Sequence, residues 1–149
     1  MNNRRKLVIA LGLSTLAAPL LCLAQAQSKM WRVAFIVPGR AATAAPSIAA
    51  FKDGMRENGM IEGEHYVLDT VYAEGKYERF PALTNEVLER KANVILTNTI
   101  LSVRAAQLAT KTTPILFLAN DPVGTGLVAS LARPGGNATD SRRRMRMRY

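Results

Sequence analysis

Hydroxyl and amide side chains cluster at two points of the sequence where apolar runs end. The residues are Thr97, Asn98 and Thr99 after Val94–Leu96, and Asn120 and Asp121 after Ile115–Leu118. A helix is expected to begin at the first point, and the free N–H groups of a helix start favour a carboxylate or another small anion. The hydroxyls and amide of the first cluster would add hydrogen bonds, while Asn120 and Asp121 would bind an ammonium group or fix their loop. The two clusters predict a site for a small polar molecule.

Each of these residues also has a purely structural interpretation. Thr99 or Ser102 is suited to cap the following helix, and Asp121 is a common turn residue ahead of a proline. Tyr72 ends another apolar run and is either a stacking surface for a ligand or a core residue. The residue types alone leave both interpretations open.

Common enzymatic sites require residues that this sequence does not provide. Nothing in it matches the phosphate loops G-x-G-x-x-G or G-x-x-x-x-G-K-[ST], which disfavours nucleotide sites. His65 is the single histidine and Cys22 the single cysteine, so a transition-metal site would be short of ligands. A Ser-His-Asp site would have to use His65, which is expected on the surface at a strand start, and no G-x-S-x-G elbow occurs. We therefore predict no enzymatic activity and no cofactor.

The apolar pattern predicts a scaffold for the polar clusters in which four strands alternate with three helices. The predicted strands are Trp31–Val37, His65–Gly75, Asn93–Asn98 and Thr113–Asp121, and the predicted helices are Pro46–Met60, Tyr77–Ala92 and Thr99–Lys111. A flexible loop, Pro38–Ser47, is expected between the first strand and the first helix. Near-continuous apolar strands indicate burial on both faces. The fold class is therefore α/β, a doubly wound parallel sheet of order βαβαβαβ. Ligands of such sheets bind outside the carboxyl ends of the strands, where the strand order reverses.

The first 26 residues have the pattern of a cleavable export signal. A basic start with Arg4 and Arg5 precedes an apolar stretch, and Ala24-Gln25-Ala26 fits a small-x-small cleavage site. An uncleaved anchor and a lipoprotein modified at Cys22 are alternatives, and the paired arginines leave the export route open. We expect a mature chain that starts at Gln27 in the periplasm.

Positive charge is concentrated at the two ends of the chain. The net charge is +9, yet residues 27–139 carry 12 Lys+Arg against 10 Asp+Glu. Five arginines lie within the last eight residues, in the segment "DSRRRMRMRY". An arginine arm could bind nucleic acid, but the body has no basic face of its own. We therefore expect no nucleic-acid partner.

Several longer segments resemble a known family. These include "EGKYERFPAL", "TTPI" and "DPVGTGLVASLARPGGNAT", which are similar to ABC-transporter substrate-binding proteins of the tryptophan/tyrosine type over residues 1 to 139. The resemblance implies a type I periplasmic-binding fold of two lobes. It also implies an amino-acid-like ligand and a permease and ATPase as partners. The ligand-side positions would be Thr97, Asn98, Thr99, Asn120 and Asp121. The family often has a glycine-rich turn where this chain has Asn98-Thr99-Ile100.

The resemblance stops at Asp140, where the family continues with another strand and a second lobe. We expect residues 27–139 to be the N-terminal lobe and residues 140–149 to be a basic unstructured tail, encoded out of frame. A single lobe predicts impaired binding and an exposed sheet edge at Ile115–Leu118. The alternatives are a non-functional fragment, or a doubly wound enzyme or regulator with a basic tail.

Overall fold

Five parallel strands form one sheet in the part of the chain that the structure, a computed structural model, describes: residues 30–118, 123–127 and 136–141. The strands are β1 (Trp31–Val37), β2 (Tyr66–Tyr72), β3 (Val94–Thr97), β4 (Ile115–Phe117) and β5 (Ala138–Asp140). The helices are α1 (Ala41–Glu57), α2 (Phe80–Glu89) and α3 (Ile100–Ala109), and a 3-10 turn, Tyr77–Arg79, precedes α2. The strand order is β2-β1-β3-β4-β5, and every neighbouring pair is parallel. The predicted fold class, a parallel α/β sheet, is confirmed.

Alternate residues of the strands face two different helical layers. On one face, Val33, Tyr66 and Leu96 form a core with Phe51 and Met55 of α1. On the other face, a larger core contains residues of β1, β3 and β4 together with α2 and α3; its strand members include Ala34, Ile36, Ile95, Ile115 and Phe117. Because helices cover both faces of the sheet, its strands do not alternate between apolar and polar residues, which accounts for the continuous apolar runs in the sequence.

Helix α1 begins at Ala41, five residues before the predicted start at Pro46. The segment expected to be a flexible loop, Pro38–Ser47, is therefore mostly helical, and Pro46 lies inside the helix. Alanines around Pro46 favour helix strongly, and Thr43 closes the first turn, since its hydroxyl accepts from the Arg40 N–H at 3.2 Å and donates to the Arg40 carbonyl at 2.9 Å. The prediction was wrong because proline was treated as a helix start. Within the described residues, no helix combines the length and apolar character needed to cross a membrane.

The predicted order lacked the fifth strand. Asp140, which the sequence assigns to the basic tail, is the last residue of β5 and is paired with Phe117 of β4. Strand β4 therefore lies between two strands, and the expected exposed edge at Ile115–Leu118 is wrong. A three-residue strand is too short to show a periodicity, so only its pairing reveals it.

Candidate ligand-binding edge of the sheet

The strand order reverses between β1 and β3. After β1 the chain passes through α1 to β2 on one side, and after β3 it passes through α3 to β4 on the other. Loops that leave these two strands therefore diverge and open a crevice at the carboxyl edge of the sheet. This crevice is the candidate site.

The β1 side of the crevice is a wall made of two loops bonded to each other. The Glu74 N–H donates to the Gly39 carbonyl at 3.1 Å, and the Gly75 N–H donates to the Pro38 carbonyl at 2.8 Å. Glu74 and Gly75 both have positive φ, 58° and 83°, which turns their amides towards the β1 loop. The loop after β2 therefore braces the loop after β1. The sequence analysis missed this contact, although the Glu-Gly pair after an apolar run signals a turn.

On the β3 side lies a cluster of hydroxyl groups, formed by Thr97, Thr99 and Ser102. The Thr97 hydroxyl donates to the Ile36 carbonyl at 3.1 Å and contacts the Ser102 hydroxyl. The Ser102 hydroxyl lies 2.7 Å from Thr99 Oγ1 and donates to the Thr99 carbonyl at 2.9 Å. Thr97 is only 3% exposed and Ser102 is fully buried. The cluster ties β1, β3 and the start of α3 together directly behind the crevice.

Asn98 and Thr99 form the surface of this side. Asn98 is exposed and Thr99 is partly buried. Thr99 is the N-cap of α3, where its side chain accepts from the Ser102 N–H at 3.3 Å. The first N–H groups of a helix have no partner inside the helix and carry a partial positive charge. An exposed amide beside such a helix start can hold a carboxylate.

Of the other predicted site residues, the structure describes only Tyr72, which lies on the far side of β1 from this surface. Tyr72 ends β2, and because β1 separates β2 from β3, Tyr72 lies about 10 Å from the β3 end. Asn120 and Asp121 lie outside the described residues. Just before them, the Leu118 N–H donates to the Thr97 carbonyl at 3.2 Å, so the chain leaves β4 next to β3. The structure thus groups Thr97, Asn98 and Thr99, with Thr97 behind the other two.

Tyr77 is an exposed aromatic residue that the sequence analysis did not select. It follows the loop after β2, is 50% exposed, and stacks on the buried ring of Phe80 with 5.5 Å between ring centroids and 10° between planes. A ring fixed on one face and open on the other is suited to stack on another aromatic group. Tyr77 is therefore a second stacking candidate beside Tyr72, whose role as a stacking surface stays a prediction.

His65 lies away from the crevice, just before β2. Its Nδ1 accepts from the Ile61 N–H at 3.0 Å, so the ring closes the turn before β2. Among the described residues, no group of His, Cys, Asp and Glu side chains is placed to hold a metal ion.

Two side chains with shifted pKa values also lie outside the crevice, between α1 and the start of β2. The Lys52 ammonium group is 2.7 Å from a Glu62 carboxylate oxygen, and this hydrogen bond raises the pKa of Lys52. Burial of the ring raises the pKa of Tyr66, with the charge of Glu62 adding to the effect. These groups hold α1 on the sheet.

Comparisons with known proteins agree with the fold. The family model described as ABC transporter substrate binding protein matches residues 32–145. A curated tyrosine-binding protein from Clostridioides difficile (strain R20291) is 31% identical over 99 residues, which are 63% of this chain and 29% of that protein. The chain thus spans less than a third of this relative.

Similar solved structures come from three bacteria. A conserved domain protein from Vibrio cholerae has a TM-score of 0.68 and 27% identity over 75% of this chain and 38% of that one. A ligand-free, open substrate-binding protein with adhesive properties from Clostridium difficile has a TM-score of 0.66 and 25% identity over 74% and 38%. A Streptococcus pneumonia protein in complex with L-Trp has a TM-score of 0.66 at 20% identity over 74% and 38%, which shows the shared fold.

Proposed function

We propose, from the premise that the chain belongs to the ABC transporter substrate-binding protein family, that its crevice binds an amino-acid-like ligand for import. The observation that carries this proposal is the pairing of exposed Asn98 with the Thr99-capped start of α3 at the point where the strand order reverses. The same surface has hydrogen-bonding groups for a ligand, and the sequence contains neither the phosphate-loop motifs nor the G-x-S-x-G elbow. We infer a binding protein without turnover.

We further propose that the ligand is an aromatic amino acid. One relative is a tyrosine-binding protein and one structural neighbour holds L-Trp. In this chain, the carboxylate would lie at Asn98 and the N-terminus of α3, where free N–H groups favour an anion. The side-chain ring would lie towards Tyr77, whose open face is available for stacking. Asn120 and Asp121 remain candidates for the ammonium group.

The partners and location follow from the family and stay proposals. A substrate-binding protein delivers its ligand to a membrane permease driven by an ATPase, and we propose the same partners here. We also propose export to the periplasm and cleavage after Ala26. The mass of the protein recovered from a periplasmic extract tests this, since a chain that begins at Met1 would contradict it.

We expect the described residues to bind the ligand weakly. They form one wall of a crevice, and binding clefts gain most of their affinity when two walls close and exclude water. A dissociation constant on the order of 1 mM, rather than 1 µM, is expected for one-sided contact. Binding in the low micromolar range would contradict this part of the proposal.

The test is a titration of the full 15N-labelled chain with L-Trp, followed by amide chemical shifts. We expect saturable shifts at Asn98–Leu101, and smaller ones with tryptamine, which lacks the carboxylate. Asn98→Ala should weaken binding several-fold, whereas Asn85→Ala, at an exposed position of α2, should leave it unchanged. Saturable binding that leaves the amides of residues 98–101 unmoved would refute the proposed site.

A further inference from the structure

The outward surface of α3 carries two exposed leucines beside two cations. Leu101 is 53% exposed and Leu108 is 83% exposed. Arg104 and Lys111 are also exposed, and the spacing of three and seven residues places Arg104 and Leu108 on the same side of the helix axis as Leu101. Lys111 follows the end of α3 and lines one groove together with Arg104 and Leu108. We refer to these four residues as the α3 stripe.

The two cations of the α3 stripe donate hydrogen bonds to backbone carbonyl groups. Arg104 Nη2 donates to the Thr125 carbonyl at 3.0 Å, and Lys111 Nζ donates to the Gln107 carbonyl. The sequence contains no Asp or Glu between Glu89 and Asp121. Hydrogen bonds to carbonyl groups hold the two side chains in place and, unlike ion pairs, do not neutralise their charge.

An open groove of about 470 Å³ runs beside the stripe, lined by Arg104, Gln107, Leu108, Lys111, Gly136 and Asn137. The Asn137 amide donates to the carbonyls of Thr110 and Thr113 at 3.0 and 2.7 Å. This fixes the groove against the end of α3. A groove with cationic and amide donors on one side accommodates anionic groups of a larger surface.

Charge is distributed unequally between the two halves of the sequence. Residues 30–89, which form β1, β2, α1 and α2, carry six Lys+Arg and nine Asp+Glu. Residues 90–149, which include β3, β4, β5 and α3, carry ten Lys+Arg and two Asp+Glu. Among the described residues from 90 onwards, four Lys+Arg stand against one Asp+Glu. Since β2 and β5 are the opposite ends of the sheet, a negatively charged surface would attract the part of the described fold that carries α3 more than the part that carries β2.

We propose that the α3 stripe is a docking surface for a membrane rich in anionic phospholipids. Protruding leucines beside Lys and Arg on one helix face are typical of helices that lie at the level of lipid headgroups. A protein partner is disfavoured, because tight protein interfaces are anchored by aromatic side chains packed into pockets, and the stripe contains no aromatic residue. This docking is independent of ligand binding at the crevice.

The test measures insertion at α3 itself, so that binding of other segments does not mimic it. An environment-sensitive fluorophore is attached to the full chain in a Cys22→Ser background, either at Thr112→Cys beside the stripe or at Glu57→Cys at the end of α1. Vesicles of phosphatidylglycerol are added at low salt. We expect a blue shift at residue 112, none at residue 57, and loss of the shift with pure phosphatidylcholine or at high salt.

Two double variants with the same change in net charge provide the control. Arg104→Glu with Lys111→Glu should lower partitioning to phosphatidylglycerol vesicles about 30-fold or more. Lys76→Glu with Lys91→Glu alters exposed cations elsewhere and should change partitioning less than twofold. Circular dichroism checks that each variant folds. The proposal is overturned if both double variants lose vesicle partitioning equally, or if the fluorophore at residue 57 shows an equal blue shift. It is also overturned if deletion of residues 142–149 alone abolishes the blue shift at residue 112, or if the chain binds an acidic peptide but no vesicles.

Discussion

Replacement of Thr97 by valine tests whether the hydroxyl cluster behind the crevice holds the site together. Thr97 is 3% exposed, and its hydroxyl joins β1 to β3 through the Ile36 carbonyl. The same hydroxyl contacts Ser102 at the start of α3. Valine keeps the shape of the side chain but removes both contacts.

The expected cost follows from what the substitution leaves behind. Ile36 is fully buried, so its carbonyl loses a donor that water cannot readily replace, and the Ser102 hydroxyl loses one of its contacts. An unpaired buried polar group costs about 1–3 kcal/mol. We expect Thr97→Val to lower the free energy of unfolding by about 2 kcal/mol, which at a typical urea m-value of about 2 kcal/mol per M lowers the midpoint by about 1 M.

Urea unfolding followed by circular dichroism and by the fluorescence of the single tryptophan, Trp31, measures this. The matched control is Thr70→Val. Thr70 lies in the edge strand β2 and is only partly buried, so its substitution should change the free energy of unfolding by less than about 0.5 kcal/mol.

Thr97 was also predicted to contact the ligand, and the same variant separates the two roles. If Thr97 acts behind the crevice, Thr97→Val weakens L-Trp binding less than Asn98→Ala does, while it lowers stability more. If Thr97→Val is as stable as Thr70→Val but has lost ligand binding, the structural role is refuted and direct contact with the ligand is supported.

Three further outcomes are expected. Pro46→Ala restores a backbone hydrogen bond inside α1 and should raise the free energy of unfolding by about 1–2 kcal/mol, seen as a higher melting temperature; a lower one would contradict it. Gly39→Ala places a Cβ 2.8 Å from the Thr43 hydroxyl that closes the first turn of α1. The substitution should therefore lower the free energy of unfolding by about 1 kcal/mol and shift the amide resonances of that turn in NMR spectra. Unchanged resonances would contradict this. Burial raises the pKa of Tyr66 above 10.0, so the contribution of the neutral ring to stability is complete below pH 10.0 and is lost as pH rises through the folded-state pKa. Tyr66→Phe has no group that ionises, and it should therefore reduce the loss of stability between about pH 8 and about pH 11. An unchanged loss would contradict this.

The regular elements were predictable where their apolar periods were long. β1 was predicted with its observed ends, and the existence and type of α2, β3, α3 and β4 were also correct, with ends that differ by a few residues. Pro81 lies in the first turn of α2, where a proline costs no hydrogen bond of the helix. The start of α1 was wrong because local helix propensity and the Thr43 contact outweighed the usual meaning of a proline.

The site was predictable only in part. Asn98 and Thr99 were selected because the carboxyl end of a buried strand and the start of a helix are both visible in sequence, and their contact with a ligand stays a prediction. The bracing of Gly39 and Pro38 by Glu74 and Gly75 was not visible, since it joins residues about 35 positions apart through backbone groups that every residue type possesses. The exposed, stacked ring of Tyr77 was likewise not visible, since its exposure depends on the packing of Phe80 beneath it.

The amino-acid sequence by itself determined that strands and helices alternate, that the strands are buried on both faces, and that polar residues follow β3. These properties depend on local periodicity and composition, which neighbouring residues carry. Only the tertiary structure decided the strand order, the pairing of β5 with β4, and the burial of Thr97 behind Asn98. Such features depend on which distant segments share hydrogen bonds and exclude water together, and no single segment encodes that choice.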